Sequence, residues 1–99
     1  MEKQAVLEKL RAHEAELRAA GIVHLRLFGS VARGDNGAES DVDLLANLDP
    51  ERTLTLIGVV GLENKLTDTL NAKVHLTIGG EHLRPRLMKN VERDAEIAF

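Results

Sequence analysis

Gly29-Ser30-Val31-Ala32-Arg33-Gly34, then a polar stretch, then Ser40-Asp41-Val42-Asp43 is the segment from which the rest of this chain can be read. The run before it, 22–28, alternates: Val23, Leu25 and Leu27 fall on one side of an extended chain, and His24, Arg26 and Phe28 on the other. A Gly-Ser turn at the C-terminal end of such a strand offers backbone N–H groups and a hydroxyl to a phosphate. Residues 34–39 (Gly-Asp-Asn-Gly-Ala-Glu) are a loop by composition. A second strand follows over 41–48, with Val42, Leu44, Ala46 and Leu48 on one face and Asp41, Asp43, Leu45 and Asn47 on the other. So short a loop sets the two strands side by side. If they pair antiparallel, the turn and the two carboxylates meet at the same end of the sheet. Like charges on one face repel and lose hydration on burial. A divalent cation between Asp41 and Asp43 removes that conflict and can grip phosphate oxygens at the same time. Ser30 and the turn amides would hold the terminal phosphates, with Arg33 adding positive charge. Taken singly these features are ordinary: a glycine turn, a solvated strand face, a surface arginine. Their combination at one sheet end is not.

Working outward, residues 2–20 predict one helix, with Val6, Leu10, His13 and Leu17 in register and Gly21 as the stop. His13, in that apolar register, is expected to be packed. Asp49-Pro50-Glu51 has the chemistry of a helix start, and the helix is expected to run to about Leu70. Its apolar residues (Leu54, Ile57, Val60, Leu66 and Leu70, with Leu56, Val59 and Leu62) spread beyond one stripe, so it should be buried, or partly so against another chain. Gly58 and Gly61 weaken it by up to about 1 kcal/mol each, which fits close packing there. A third strand is expected over 73–78, broken by Gly79-Gly80, then a short helix over about 84–93 and an extended end over 95–99. The order α-β-β-α-β-α predicts a single α/β (α+β) domain over residues 1–99: a small mixed sheet of three to four strands flanked by helices.

Composition narrows the function classes. A 99-residue chain with 43% apolar residues and only Phe28 and Phe99 as aromatics has an aliphatic core and lacks base-stacking platforms. A formal charge of −3 gives no general attraction to nucleic acid or acidic lipid, so direct nucleic-acid binding is not expected. The absence of cysteine rules out disulfides, thiolate zinc sites and a cysteine nucleophile, and suits a reducing cytoplasm. No apolar run reaches the roughly 18–20 residues of a membrane helix, and the polar N-terminus is unlike a signal peptide. His75 and His82 lack the spacing of a zinc site. Arg84, Arg86, Lys89 and Arg93 form a basic cluster that reads as a solvated helix face.

The segment Gly29 to Gly34 with Ser40-Asp41-Val42-Asp43-Leu44 resembles the signature of the polymerase-β-type nucleotidyltransferase superfamily. Within it the chain is similar to the minimal nucleotidyltransferases. The likeness extends to the leading helix, the Asp49-Pro50 pair, the Asn71-Ala72-Lys73-Val74 strand and the Leu83-Arg84-Pro85-Arg86-Leu87 stretch. The resemblance implies metal-dependent transfer of AMP or another nucleoside monophosphate from a nucleoside triphosphate, ATP for AMP, to a hydroxyl on a partner protein. By it, Asp41 and Asp43 bind Mg²⁺, Gly29 and Ser30 bind the triphosphate, and the partner is a HEPN-domain toxin silenced by the modification. Homo- or hetero-oligomers fit the apolar helix equally. An acceptor domain of the kind carried by antibiotic-modifying relatives has no room here.

In one place the chain departs from that pattern. The family's third metal carboxylate lies on the strand that here reads Lys73-Val74-His75-Leu76-Thr77. Alternation turns His75 to the same side as Asp41 and Asp43. Mg²⁺ takes imidazole poorly, so three roles are open: a ligand to Mn²⁺ or another transition ion, a general base for the attacking hydroxyl, or no chemistry at all. The last would leave a nucleotide-binding module that neutralises its partner by contact.

Overall fold

A computed structural model describes residues 2–34, 41–51, 55–79, 89, 93 and 95–99. The elements are α1 (Lys3–Ala12), α2 (Glu14–Ala19), β1 (Ile22–Phe28), α3 (Gly29–Arg33), β2 (Val42–Leu48), α4 (Leu56–Leu70), β3 (Val74–Ile78) and β4 (Glu96–Ile97). They build one four-stranded mixed sheet in the order β3-β2-β1-β4. β1 pairs antiparallel with both β2 and β4, and β2 runs parallel to β3, with α4 as the connecting helix. The expected α/β class, the flanking helices and the antiparallel first pair are all present. The extended end becomes β4 and takes the edge beside β1.

One face of the sheet carries the core. Leu25, Leu27, Val42, Leu44, Ala46, Val74 and Leu76 meet Val6, Leu10 and Leu17 from α1 and α2 and Leu62, Leu66 and Leu70 from α4. These are the alternate strand positions and the i, i+4 helix positions that the sequence pattern assigns to one side. On the opposite face Phe28 and Leu45 form a small separate cluster against Ala95. No buried polar side chain interrupts the core among the described residues.

Three helix expectations need correction. The single helix over 2–20 is broken at His13. The ring Nδ1 bonds the Lys9 carbonyl at 2.9 Å, taking the acceptor that a continuous helix would give to the His13 amide, which turns to Leu10 instead. His13 is half-buried at this joint, not packed in the stripe. Second, Asp49-Pro50-Glu51 is not a helix start. Asp49 Oδ1 accepts from the Glu51 amide at 2.9 Å and closes a local turn. Thr55 is the N-cap, its hydroxyl accepting from the Gly58 amide at 3.1 Å. Third, Gly29 and Ser30 form the first residues of α3 and not a turn before it.

Burial of α4 is one-sided. Leu56, Ile57 and Val60 are exposed by 80%, 84% and 52%, so its first turns carry apolar surface that this chain does not cover. The loop over 35–39 and most of the helix expected over 84–93, with His82, lie outside the described residues; Lys89 and Arg93 are helical and exposed. Among the described residues no helix is long and apolar enough to cross a membrane.

Gly61 sits in the interior of α4 with nothing near the position a Cβ would take. Gly61→Ala should therefore stabilise the isolated protein by roughly 0.5–1 kcal/mol, read as a higher urea midpoint at unchanged m-value.

Candidate nucleotide and metal site

The site grows from the end of β1. Phe28 is extended (φ −140°, ψ −174°), and Gly29 then takes φ +78°, a conformation that L side chains rarely adopt. This swing turns the chain directly into α3, which ends on Gly34, again left-handed at φ +80°, with its amide bonded to the Ser30 and Val31 carbonyls. Val31 and Ala32 anchor α3 in the core, leaving Ser30 half-buried and Arg33 exposed. Among the described residues the Ser30 hydroxyl makes no hydrogen bond.

Antiparallel pairing brings β2 back alongside, with Phe28 opposite Asp43. The Asp43 carboxylate then lies against the Gly29 backbone. A Cβ at Gly29 would overlap Asp43 Oδ2 and stand 3.1 Å from Cγ. Gly29 is thus required twice, by its backbone angle and by the carboxylate beside it. Parallel pairing of β2 with β3 sets His75 opposite Asp43 on the other side. Asp41, immediately before β2, precedes Asp43 by one pleat and faces the same way. Gly29, Asp41, Asp43 and His75 therefore meet at one end of the sheet, with Ser30 and Arg33 on the adjoining α3.

The electrostatics of this corner are strained. Burial raises the Asp43 carboxyl above its ordinary value; the His75 and Arg33 charges pull it back, and Asp41 pushes it up further. Two adjacent acids, both half-buried, form a small all-oxygen donor set, which suits a hard cation such as Mg²⁺. The fit is partial. Among the described residues no three His, Asp or Glu side chains converge as a metal cage. An ion bound by Asp41 and Asp43 would take its remaining ligands from water and phosphate, as Mg²⁺ commonly does in phosphoryl-transfer sites.

Two outcomes follow for the metal-free protein. Because the Asp43 pKa is raised on folding, its charged form destabilises the folded state at neutral pH. That cost disappears as the pH falls through the raised pKa toward the ordinary 3.8. Asp43→Asn should raise the melting temperature at pH 7 in chelator, with the gap closing near pH 4; a less stable variant at pH 7 would contradict the electrostatic account. Gly29→Ala should cost roughly 1–3 kcal/mol in folding stability, measured by denaturant titration, because it forces a Cβ into both an unfavourable angle and the Asp43 carboxylate.

Comparison with known proteins agrees with this geometry. The family model described as "Polymerase beta, Nucleotidyltransferase" matches residues 12–99. A protein of Thermococcus cleftensis named protein adenylyltransferase MntA is 35% identical over 86 residues, covering 86% of this chain and 84% of that one. A solved structure described as a "putative minimal nucleotidyltransferase" superposes with a TM-score of 0.76 at 32% identity, covering 97% of this chain and 95% of its own. A chain from the complex of tri-AMPylated Shewanella oneidensis HEPN toxin with MNT antitoxin shares the fold, at TM-score 0.67 and 21% identity over 98% of this chain and 71% of that one. The start of α3 at Gly29 and Ser30, the paired acids and the His75 strand all fall inside the matched region, and the chain belongs to the polymerase-β-type nucleotidyltransferase family.

Proposed function

We propose that the protein is a metal-dependent nucleotidyltransferase that moves AMP from ATP to a hydroxyl on a partner protein, and that the partner is a HEPN-domain toxin. The observation that carries this reading is the corner where Gly29, Asp41, Asp43 and His75 meet beside the first turn of α3. Support for the acceptor class comes from the relative named protein adenylyltransferase and from the fold shared with a toxin–antitoxin complex.

The chemistry follows from the residues. The first turn of α3 with the Ser30 hydroxyl binds the outer phosphates, and Arg33 adds charge to them. Asp41 and Asp43 hold Mg²⁺, which when bound screens the phosphate charge and polarises the α-phosphoryl group. The acceptor oxygen attacks the α-phosphorus, the bond to the bridging oxygen breaks, and pyrophosphate leaves. The hydroxyl proton has to go to a base. His75 stands opposite Asp43, is exposed, and in its neutral form has a ring nitrogen to accept it. Asp43 stabilises the imidazolium that forms, since their charges already attract. Imidazole in place of a third carboxylate leaves the cation with two protein carboxylates, so ion binding should depend on the nucleotide.

A second reading rests on the same substitution: with His75 chemically inert, the protein binds nucleotide and neutralises its partner by contact alone. Incubation with α-labelled ATP, Mg²⁺ and a HEPN-domain protein encoded beside it separates the two. Label on the partner, lost in Asp41→Asn and reduced about 10²–10⁴-fold in His75→Ala, is the expected result. An unlabelled stable complex favours the binding module. Label transfer unaffected by His75→Ala removes the base role, and calorimetry showing no Mg-ATP binding removes both readings.

A further inference from the structure

A cavity of about 270 Å³ opens on the face of the sheet opposite the main core, lined by His24, Arg26, Asn47, Ile97 and Phe99. The register of three strands builds it. His24 stands opposite Asn47 across β1 and β2, and Arg26 opposite Ile97 across β1 and β4. The Leu25 amide donates to the Phe99 carbonyl at 3.2 Å and draws the final residue alongside. The cavity is separate from the nucleotide site. Asn47 lies four residues beyond Asp43 on β2, about 13 Å at the usual rise per residue. Between them Phe28 and Leu45, buried against Ala95, fill the sheet face.

The donors in this cavity are unspent. Arg11 bonds the Ala98 and Ile97 carbonyls, Arg18 bonds Glu14 and the Val23 carbonyl, and Arg33 and Arg93 have interactions of their own. Among the described residues Arg26 is the arginine that makes no hydrogen bond or ion pair, although it is half-buried. The His24 and Asn47 side chains are likewise without partners, and no side-chain carboxylate lines the cavity, among the described residues. A partly desolvated guanidinium with its planar fork of donors open is matched by a carboxylate. The remaining wall is apolar. Ile97 is 64% exposed, and Phe99 carries the Arg18 guanidinium 4.9 Å from its ring centroid.

At the lower edge of the about 300–1,000 Å³ usual for small-molecule pockets, the cavity has room for a carboxylate with one neighbouring side chain. We propose that the cavity docks a polypeptide segment presenting a carboxylate beside an apolar side chain. Arg26 takes the carboxylate, His24 and Asn47 supply further donors, and Ile97 and Phe99 cover the apolar neighbour. β4, Glu96–Ile97, is an edge strand, and an edge strand is where an extended segment can add.

The test is an amide-resolved NMR titration of the full chain with the capped dipeptide acetyl-Leu-Glu-amide. The expected result is saturable shifts at residues 24–27 and at Asn47 and Ile97 with millimolar affinity, roughly tenfold weaker with acetyl-Leu-Gln-amide. Arg26→Gln should abolish the shifts. The Glu and Gln peptides are compared on the unaltered chain, so the result stands even if that variant fails to fold. No shifts with the Glu peptide, or equal shifts with the Gln peptide, would overturn the proposal. So would AMP displacing the peptide from these amides, which would make the cavity a phosphate site. The peptide titration itself contains no ATP, Mg²⁺ or acceptor, so it fails or succeeds independently of the chemistry proposed at the Asp pair.

Discussion

Contact between the Gly29 backbone and the Asp43 carboxylate is the constraint on which the functional end of this molecule depends. It exists because β1 and β2 pair antiparallel in a register that sets Phe28 opposite Asp43. A one-residue slip in that pairing would send Asp43 into the core and Leu44 to the surface. The slip is opposed by Leu25, Leu27, Val42, Leu44 and Ala46, all buried on the core side. Aliphatic packing on one face of the sheet thus holds an acidic pair in place on the other. The same packing fixes His75, since β3 follows β2 through Val74 and Leu76, which belong to the same core.

The corner costs stability to build. Asp43 is half-buried beside another carboxylate, and burial raises its pKa despite the nearby His75 and Arg33. A fold under selection for stability alone would have no use for this arrangement. Under the proposed function a cation and phosphates would occupy the corner, each offsetting the charge of the other. Asp43 is thus pre-organised by a sheet that does not depend on the ligand.

The opposite face of the sheet carries more than the Asp pair. Phe28, Leu45 and Ala95 divide it into an acidic end beside α3 and a second end where Arg26 and His24 stand without partners among the described residues. The exposed Leu56, Ile57 and Val60 add apolar surface on the helical side. Under the proposed transfer to a partner protein, such surfaces would hold the acceptor while it is modified.

Local sequence determined a good deal here. Alternation assigned faces correctly over 42–48 and from His24 onward in β1, but an irregular register between Ile22 and His24 puts Ile22 in the core in place of Val23; the glycine-serine and Asp-x-Asp pairs marked the corner that the fold assembles. It failed where a side chain chose among several bonds of similar strength. Asp49 could cap a helix or close a turn, and it closes a turn; His13 could pack or bond a carbonyl, and it takes the Lys9 carbonyl. The pocket around Arg26 had no local sign at all, because its walls come from three strands that are distant in sequence. Periodicity and motif spacing therefore determined the elements and which faces they bury, since these depend on neighbours along the chain. Only the tertiary structure decided the order of the strands, the seat of Asp43 against Gly29 and the unpartnered state of Arg26, because each depends on residues that the chain brings together only by folding.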